Sequence, residues 1–120
     1  MNVRFGLNLL LYTAAFTKDQ TGLIGKAVEM GFDGVEIPFN DLSLLDAAAI
    51  RAERERSGAG LTACGVLLPG MDLCSEKAEE RRAGLEQLRR MIDLTAEMGG
   101  ELVAGPLYAP VGRLAGRARN

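Results

Sequence analysis

Two stretches of the chain carry nearly the same ten residues. Residues 29–38 read EMGFDGVEIP, and residues 97–106 read EMGGELVAGP. In each copy Met-Gly closes a helical pattern and a short apolar run follows. A glycine just past the last helical turn can adopt the left-handed conformation that ends a helix. The repetition therefore predicts a unit in which a helix leads into a strand, and parallel sheets with helical crossovers are built from such units.

The sequence before each copy is typical of a helix. Thr17 and Gln20 fit a capping box at the start of TKDQTGLIGKAVEM. The buried stripe of this helix is predicted to be Leu23, Ala27 and Met30, with Ile24 and Val28 beside it. The helix before the second copy is predicted to have a comparable stripe of Leu85, Leu88, Ile92 and Thr95, flanked by Met91 and Met98.

A further helix is predicted between the two copies, in SLLDAAAIRAERERSGAG. Ser43 and Asp46 suit its first turn, and Gly58 and Gly60 mark its end. The strands are then predicted at residues 3–8, 33–37, 60–67 and 101–105. The order is β-α-β-α-β-α-β, and the unit recurs roughly every thirty residues, as expected for strand–helix–strand crossovers.

Alternation of side chains along the strands limits the architectures that the chain can form. Val35 and Ile37 share one face of the second strand, whereas Gly34 and Glu36 share the other. The first strand alternates in the same way, with Val3, Phe5 and Leu7 opposite Arg4, Gly6 and Asn8. This pattern predicts an α/β fold in which the sheet curls around a small interior, as in a (β/α)8 barrel with its site at the carboxyl ends of the strands. A doubly wound open sheet is the alternative, because it is also built from these units.

Four strands make half of a (β/α)8 barrel, which typically needs about 250 residues. The 120 residues are therefore predicted to form a single partial-barrel domain, residues 1–120, with four parallel strands alternating with helices and a loop after the last strand. That loop reads LYAPVGRLAGRARN, with three arginines and no acidic residue among its last ten. This segment is predicted to be the loop and first turn before a fourth helix. A tail that binds phosphate or acids is the less favoured interpretation.

Composition limits the chemistry. The chain has no histidine and a net charge of −2, so it lacks the positive field expected of a nucleic-acid-binding protein. Cys64 and Cys74 have neither CxxC spacing nor candidate metal partners, so two free thiols in a reducing cytoplasm are expected. No apolar run is long enough to span a membrane, and the start of the chain suits an opening strand better than a secretory signal.

In order and spacing, the motifs resemble the sugar isomerase and epimerase family with xylose-isomerase-like barrels, and especially its ketose 3-epimerases of the tagatose and psicose type. The matching segments are FGLNLLLYT for the first strand, EMGFDGVEIP for the second, GLTACGVLLPGMDLCS for the third with its loop, and AEMGGELVAGPLYAPVGR for the fourth. The resemblance runs along the whole chain but covers only the N-terminal half of the family's barrel. It implies an isomerase or epimerase that acts on carbohydrates.

The resemblance also implies a divalent metal, Mn²⁺, Mg²⁺ or Co²⁺, at the mouth of the complete barrel. In the family the ligands are two glutamates, an aspartate and a histidine from the last four strands. The two glutamates also exchange the proton at carbon 3 of the sugar through an enediolate, whose developing charge the metal neutralises. None of these positions falls in this chain. No catalytic residue and no metal ligand is therefore expected within it, and the absence of histidine fits the absent half.

Three residues match substrate-binding positions of the family: Asn8, Glu36 and Gly105. Asn8 falls at the mouth end of the first strand, where close ketose epimerases often have a sugar-contacting aromatic residue and other relatives have asparagine. Capping of the open end of the strand is the alternative role. Glu36 points inward, where it could bind a sugar hydroxyl or, with slightly better support, pair with Arg4, because buried charges are usually paired.

Two smaller residues complete the expected site. Gly105 matches a family glycine whose backbone approaches the sugar, although turn chemistry ahead of Pro106 explains it equally well. Cys64 could line the interior near the substrate, and a small buried apolar residue is the simpler interpretation.

Three functions are compatible with these observations. The first is a fragment of a metal-dependent ketose 3-epimerase, inactive as the isolated chain, whether the chain is a natural short product or a truncated reading frame. The second is a non-catalytic half barrel that self-associates through its two open sheet edges, which would give a homo-oligomer. The third is a related barrel enzyme, either a polyol dehydratase or a DNA-repair endonuclease, and the endonucleases rely on histidines that this chain lacks. A small sugar is the expected partner, with no nucleic acid, no membrane and a cytoplasmic location.

Overall fold

The computed structural model describes residues 2–113, in which four strands alternate with three helices. The strands are β1 Gly6–Asn8, β2 Gly34–Phe39, β3 Gly60–Gly65 and β4 Val103–Ala104, and the helices are α1 Gly22–Glu29, α2 Ala47–Ser57 and α3 Ala78–Glu97. Short 3₁₀ helices occupy Leu9–Leu11, Lys18–Gln20 and Leu42–Leu44. The predicted order of elements is confirmed. None of the described helices is long and apolar enough to cross a bilayer.

The strands lie side by side in chain order, β1-β2-β3-β4, and every neighbouring pair is parallel. A doubly wound sheet reverses its strand order at a switch point, and the described strands show no such reversal. This order is that of an arc of a (β/α)8 barrel, so the open-sheet alternative is wrong. The end of the arginine-rich tail, residues 114–120, lies outside the described residues.

Both copies of the repeated phrase end their helices in the same way. Gly31 and Gly99 have φ values of 97° and 82°, and Gly58 ends α2 at a φ of 74°. In each copy the residue after the glycine donates its N–H to the carbonyl five residues back, which is the bond that defines a Schellman motif. The two bonds measure 3.0 Å and 2.8 Å and join Phe32 to Ala27 and Gly100 to Thr95. The prediction of a glycine stop before each strand is confirmed.

The helix starts are partly as predicted. Asp46 caps α2 by accepting an N–H of the first turn at 2.9 Å. Ser43 does not belong to α2, because Asp41 binds its N–H and hydroxyl and starts a separate 3₁₀ helix there. The capping box of Thr17 and Gln20 is present, but it opens the 3₁₀ helix that precedes α1.

The strand bounds differ from the prediction most at the two edges of the sheet. β1 starts at Gly6 rather than at residue 3, because the Asp33 carboxylate accepts the N–H of Phe5 at 2.7 Å in place of a ladder partner. The edge strand β4 pairs with β3 alone and is reduced to two residues. β2 runs two residues further than predicted, to Phe39, and β3 stops at Gly65.

The outer face of the sheet packs against the helices, as the alternation predicted, except that Val3 and Phe5 precede β1 and are 58% and 65% exposed. Its buried side chains are Leu7, Val35, Ile37, Leu61 and Ala63. The helices add Ile24, Ala27, Ile50, Met91 and Met98 to the same core. One apolar cluster therefore holds all three described helices against the sheet.

The buried stripe of helix α3 agrees only in part with the prediction: Thr95 and the flanking Met91 and Met98 are buried. The buried residues are Gly84, Gln87, Met91 and Thr95. Leu85 and Ile92 are 41% and 52% exposed. Two apolar stripes lie next to each other on this helix, and periodicity alone does not tell which one faces the sheet. Ile92 instead lines a groove of about 280 Å³ between α3 and β4. At the end of α1, Met30 is likewise exposed rather than buried.

The inner face carries glycine at one level in three neighbouring strands. The register aligns Gly6 with Gly34, and Gly34 with Gly60, and we call these three residues the glycine row. A Cβ atom on Gly34 would lie 2.5 Å from the carbonyl oxygen of Gly60, whereas a Cβ on Gly6 would have its nearest neighbour at 3.7 Å. The backbones of β2 and β3 thus approach so closely at Gly34 that a side chain does not fit there.

Candidate functional site

Three polar side chains from three strands meet near the carboxyl ends of the strands. Asn8 is the last residue of β1, Glu36 lies opposite it on β2, and Cys64 lies on β3. The Asn8 Nδ2 atom donates to Glu36 Oε2 at 3.0 Å and lies 3.5 Å from Cys64 Sγ. We call these three residues the mouth cluster. It lies at the end of the sheet where (β/α)8 barrels carry their chemistry.

The two polar ends of the Asn8 side chain have separate partners. Its Oδ1 atom accepts the N–H of Leu10 at 2.8 Å and so caps the 3₁₀ helix Leu9–Leu11 that follows β1. Its amide NH₂ faces Glu36 and Cys64. Because both ends of the amide are occupied, the Asn8 side chain is held in one orientation. Its role as a sugar ligand stays a prediction.

Glu36 does not pair with Arg4, contrary to the expectation for a carboxylate inside the barrel. Its partner is the Asn8 amide. The register explains the difference, because Arg4 precedes β1 and lies toward the amino ends, two residues before the level of Gly34. Glu36 is half-buried. A carboxylate has about four lone-pair positions, so Glu36 keeps acceptor capacity for a ligand hydroxyl.

Cys64 and Cys74 are both free thiols, as predicted. Burial raises the pKa of the Cys64 thiol; the Asn8 hydrogen bond lowers it, and the negative charge of Glu36 raises it further. The raised pKa keeps the thiol protonated at neutral pH. Cys64 is therefore suited to packing and weak hydrogen bonding rather than to nucleophilic chemistry.

We expect iodoacetamide to alkylate Cys74 several-fold faster than Cys64 at neutral pH. Cys74 is exposed, whereas Cys64 is partly buried and has a raised pKa, so less of it is thiolate at a given pH. The rate at Cys64 should rise as the pH approaches that raised pKa. Peptide mass spectrometry over time measures both rates, with Cys64→Ser and Cys74→Ser as single-thiol controls. Equal rates at the two thiols would contradict the burial of Cys64.

Gly105 lies one residue beyond β4 and is exposed. A Cβ atom there would come within 2.5 Å of both the backbone N and the Cγ of Leu107. A tight turn alone is therefore enough to require glycine at this position. Its approach to a sugar stays a prediction.

One feature near the mouth was missed by sequence reasoning. Asp72, in the loop after β3, is 1% exposed. Its Oδ1 atom accepts the N–H of Cys74 at 2.8 Å, and its Oδ2 atom forms an ion pair with Arg113 from the loop after β4. A bridge between Leu67 and Pro110 joins the same two loops. MDLC predicts an Asx-turn at Asp72, but no sequence signal linked it to Arg113.

A cavity lies at the opposite end of the sheet, over the amino ends of the strands. Its volume is about 430 Å³, and it opens over the glycine row between Arg4, Asp33, Arg54 and Glu101. The amino ends of barrel strands contribute to stability rather than to catalysis. The mouth cluster, with its convergent polar atoms, is therefore the better candidate site.

The described residues do not form a metal site. They contain no group of three or more carboxylate, thiol or imidazole side chains able to hold an ion, and the mouth cluster offers one carboxylate, one amide and a protonated thiol. Such a set does not match the oxygen-rich shell that Mg²⁺ or Mn²⁺ prefers. The ligands that the family resemblance implies have no counterpart among these residues.

Comparison with known proteins places this geometry in a family. The chain is 27% identical over 114 residues to a probable ketose 3-epimerase of Synechocystis sp.. The aligned region covers 95% of this chain and 40% of that protein. It is 30% identical over 110 residues to a ketose 3-epimerase of Arthrobacter globiformis, with coverage of 89% and 37%. The chain thus spans about two fifths of the length of these curated relatives.

A similar fold is found among solved structures. The D-allulose 3-epimerase of Methylomonas sp., crystallised with D-allulose, superimposes with a TM-score of 0.88 at 23% identity, over 98% of this chain and 41% of that one. The sequence profile of the family described as the xylose isomerase-like TIM barrel matches residues 24–119. With four parallel strands in barrel order and a match over most of its length, this chain belongs to the xylose isomerase-like TIM barrel family.

Proposed function

We propose that the chain forms the substrate-binding wall of a ketose 3-epimerase and is inactive by itself. The observation that carries the proposal is the hydrogen bond between Asn8 and Glu36, which sets an amide and a carboxylate side by side at the mouth of the arc. The relatives named above support the sugar class. A polyol dehydratase or another isomerase on the same barrel is the nearest alternative.

In this proposal Glu36 accepts a hydrogen bond from a sugar hydroxyl through its remaining lone pairs. Asn8 fixes the Glu36 carboxylate and presents its own amide beside it. Cys64 supplies a small, weakly polar surface in contact with Asn8. Gly105 would let the backbone after β4 approach the sugar. These residues bind and orient a ligand, and none of them is placed to exchange a proton at carbon 3.

The proton exchange would use groups from the remaining strands of a complete barrel. The divalent metal implied by the family, when bound there, would stabilise negative charge on the sugar oxygens. Since the described residues offer it no site, we assign this chain no step of that chemistry.

We expect the 120-residue chain to give no exchange at carbon 3 of a ketohexose in D₂O with Mn²⁺ present. Joining residues 1–113 to the last four strands of the Methylomonas sp. enzyme should restore exchange, because the two parts together supply eight strands. Deuterium at carbon 3, followed by NMR, is the measurement. Exchange by the isolated chain, or a folded chimera without exchange, would contradict the proposal.

Within that chimera, Glu36→Gln should raise the KM about tenfold with little change in kcat, because a charged hydrogen bond to the substrate is lost without loss of a catalytic group. Glu86→Gln, on the exposed side of α3, is the matched control and should leave both constants unchanged. A fall in kcat at constant KM would assign Glu36 to the chemistry instead.

A further inference from the structure

We propose that Asn8 is a positioning residue, which holds the Glu36 carboxylate in place for a sugar hydroxyl and does not donate a hydrogen bond to the sugar itself. This proposal rests on the proposed function and narrows the part that Asn8 has in it. The contacts that carry it join β1 to β2, β3 and the turn after β1, all within the described residues.

The orientation of the Asn8 amide is fixed by its neighbours. Nδ2 donates to Glu36 Oε2 at 3.0 Å, and Oδ1 accepts the N–H of Leu10 at 2.8 Å. If the amide were rotated by half a turn, an oxygen would face the carboxylate and an NH₂ group would face a backbone N–H. Both of those contacts are repulsive. Only one orientation therefore satisfies both neighbours.

The donor capacity of Asn8 is used within the mouth cluster. A primary amide has two N–H donors. One is directed to Glu36, and Cys64 Sγ, 3.5 Å from the same nitrogen, accepts the other. No N–H of this side chain is left for a sugar oxygen. The count does not depend on any strand beyond β3, because the two acceptors belong to β2 and β3.

Glu36 is left with acceptor capacity on its other oxygen. Asn8 occupies Oε2, and no other described residue forms a hydrogen bond or an ion pair with this carboxylate. A glutamate side chain loses rotamer freedom when it is held, and the Asn8 bond causes that loss before a ligand arrives. The cluster thus presents a fixed acceptor, which suits a ligand hydroxyl that donates.

The contact with Glu36 is separable from the role of Asn8 in the fold. Leu7 and Leu9, on either side of Asn8, are 9% and 0% exposed, so the backbone is anchored there. Serine and aspartate both cap helix starts well, so either one at position 8 keeps an acceptor for the Leu10 N–H. Asn8→Ser is too short to reach Glu36. Asn8→Asp keeps the shape of the side chain but sets an oxygen against the carboxylate.

Binding of the ketohexose D-allulose to the chimera described above, measured by calorimetry without turnover, tests the proposal. We expect Asn8→Ser and Asn8→Asp each to weaken binding about tenfold, because Glu36 is no longer held. Asn2→Asp, which adds the same charge at an exposed position before β1, is the matched control and should have no effect. Far-UV circular dichroism verifies the folding of each variant.

A double-mutant cycle separates positioning from direct binding. Glu36→Ala leaves no carboxylate for Asn8 to hold, so adding Asn8→Ser to it should weaken binding less than about twofold further. If Asn8 bound the sugar directly, the two losses would multiply, and that result would overturn the proposal.

The Cys64 thiol gives a second readout that needs no sugar. In the 120-residue chain with Cys74→Ser, Asn8→Ser should raise the pKa of the Cys64 thiol, because it removes a hydrogen bond that lowers this pKa. Glu36→Gln should lower the pKa of the same thiol, because it removes a negative charge. The rate of alkylation by iodoacetamide as a function of pH measures both shifts.

Failure of this proposal differs from failure of the proposed function. Unchanged binding in Asn8→Ser would reduce Asn8 to a cap, and an unshifted Cys64 titration would remove the contacts inferred for its amide. Binding that shows the expected losses without exchange at carbon 3 would contradict the proposed function alone. A folded chimera that binds no D-allulose would also contradict the proposed function, and the thiol titration would then decide the contacts of Asn8.

Discussion

Gly34→Ala should lower the free energy of unfolding by about 3 kcal/mol, at the upper end of the usual cost of overpacking. The added methyl group would lie 2.5 Å from the carbonyl oxygen of Gly60, and the neighbouring carbon atoms of Gly60 follow at 2.9 Å and 3.0 Å. These are backbone atoms of a paired strand, so they cannot move aside without separating β2 from β3. Urea unfolding followed by far-UV circular dichroism measures the change.

Gly6→Ala is the matched control, because Gly6 belongs to the same glycine row. Its nearest neighbour would be 3.7 Å from the new Cβ, an ordinary contact. Alanine also restricts the unfolded chain more than glycine does, which stabilises by about 0.4–1 kcal/mol where the backbone permits it. We therefore expect a change below about 1 kcal/mol in either direction. Equal losses at both positions would show that close approach of strands is not what requires Gly34.

Arg113→Ala should lower the free energy of unfolding by about 2 kcal/mol, since it leaves the Asp72 charge buried and unpaired. Asp72 is 1% exposed and its side chain faces Arg113, whose own side chain is 42% exposed. That partial exposure places the expected loss below the range for a fully buried pair. The loop after β4 should also exchange its amide hydrogens faster, because the pair ties it to the loop after β3.

The exposed pair of Arg51 and Glu55 provides the comparison. Its side chains are 53% and 58% exposed, and Arg51→Ala should cost less than about 1 kcal/mol. Chemical denaturation and hydrogen exchange of residues 105–113 distinguish the two cases. If Arg113→Ala costs no more than Arg51→Ala, the Asp72–Arg113 pair does not fix these loops.

The repeated phrase allowed the topology to be predicted because its signals are local. Gly31 and Gly99 are needed for a positive φ that other residues rarely adopt, and each is followed directly by an apolar strand. The alternation of Val35 and Ile37 with Glu36 likewise reports the two faces of one strand. Such features depend on a few consecutive residues, and sequence alone contains them.

The features that could not be predicted depend on distant residues. Asp72 and Arg113 meet only because the loops after β3 and β4 lie side by side. The pairing of Glu36 with Asn8 instead of Arg4 depends on the register between β1 and β2. Which face of α3 is buried depends on the elements that pack against the helix. Periodicity within the helix does not contain that information.

The glycine row has a consequence for the filling of any closed ring built on this arc. At the level of Gly6, Gly34 and Gly60, three adjacent strands contribute only main chain to the interior. The strands that complete the ring must therefore supply the large side chains that fill its interior at this level. A large side chain lost from the completing strands could not be replaced by one at position 34, because the close approach of β2 and β3 excludes it.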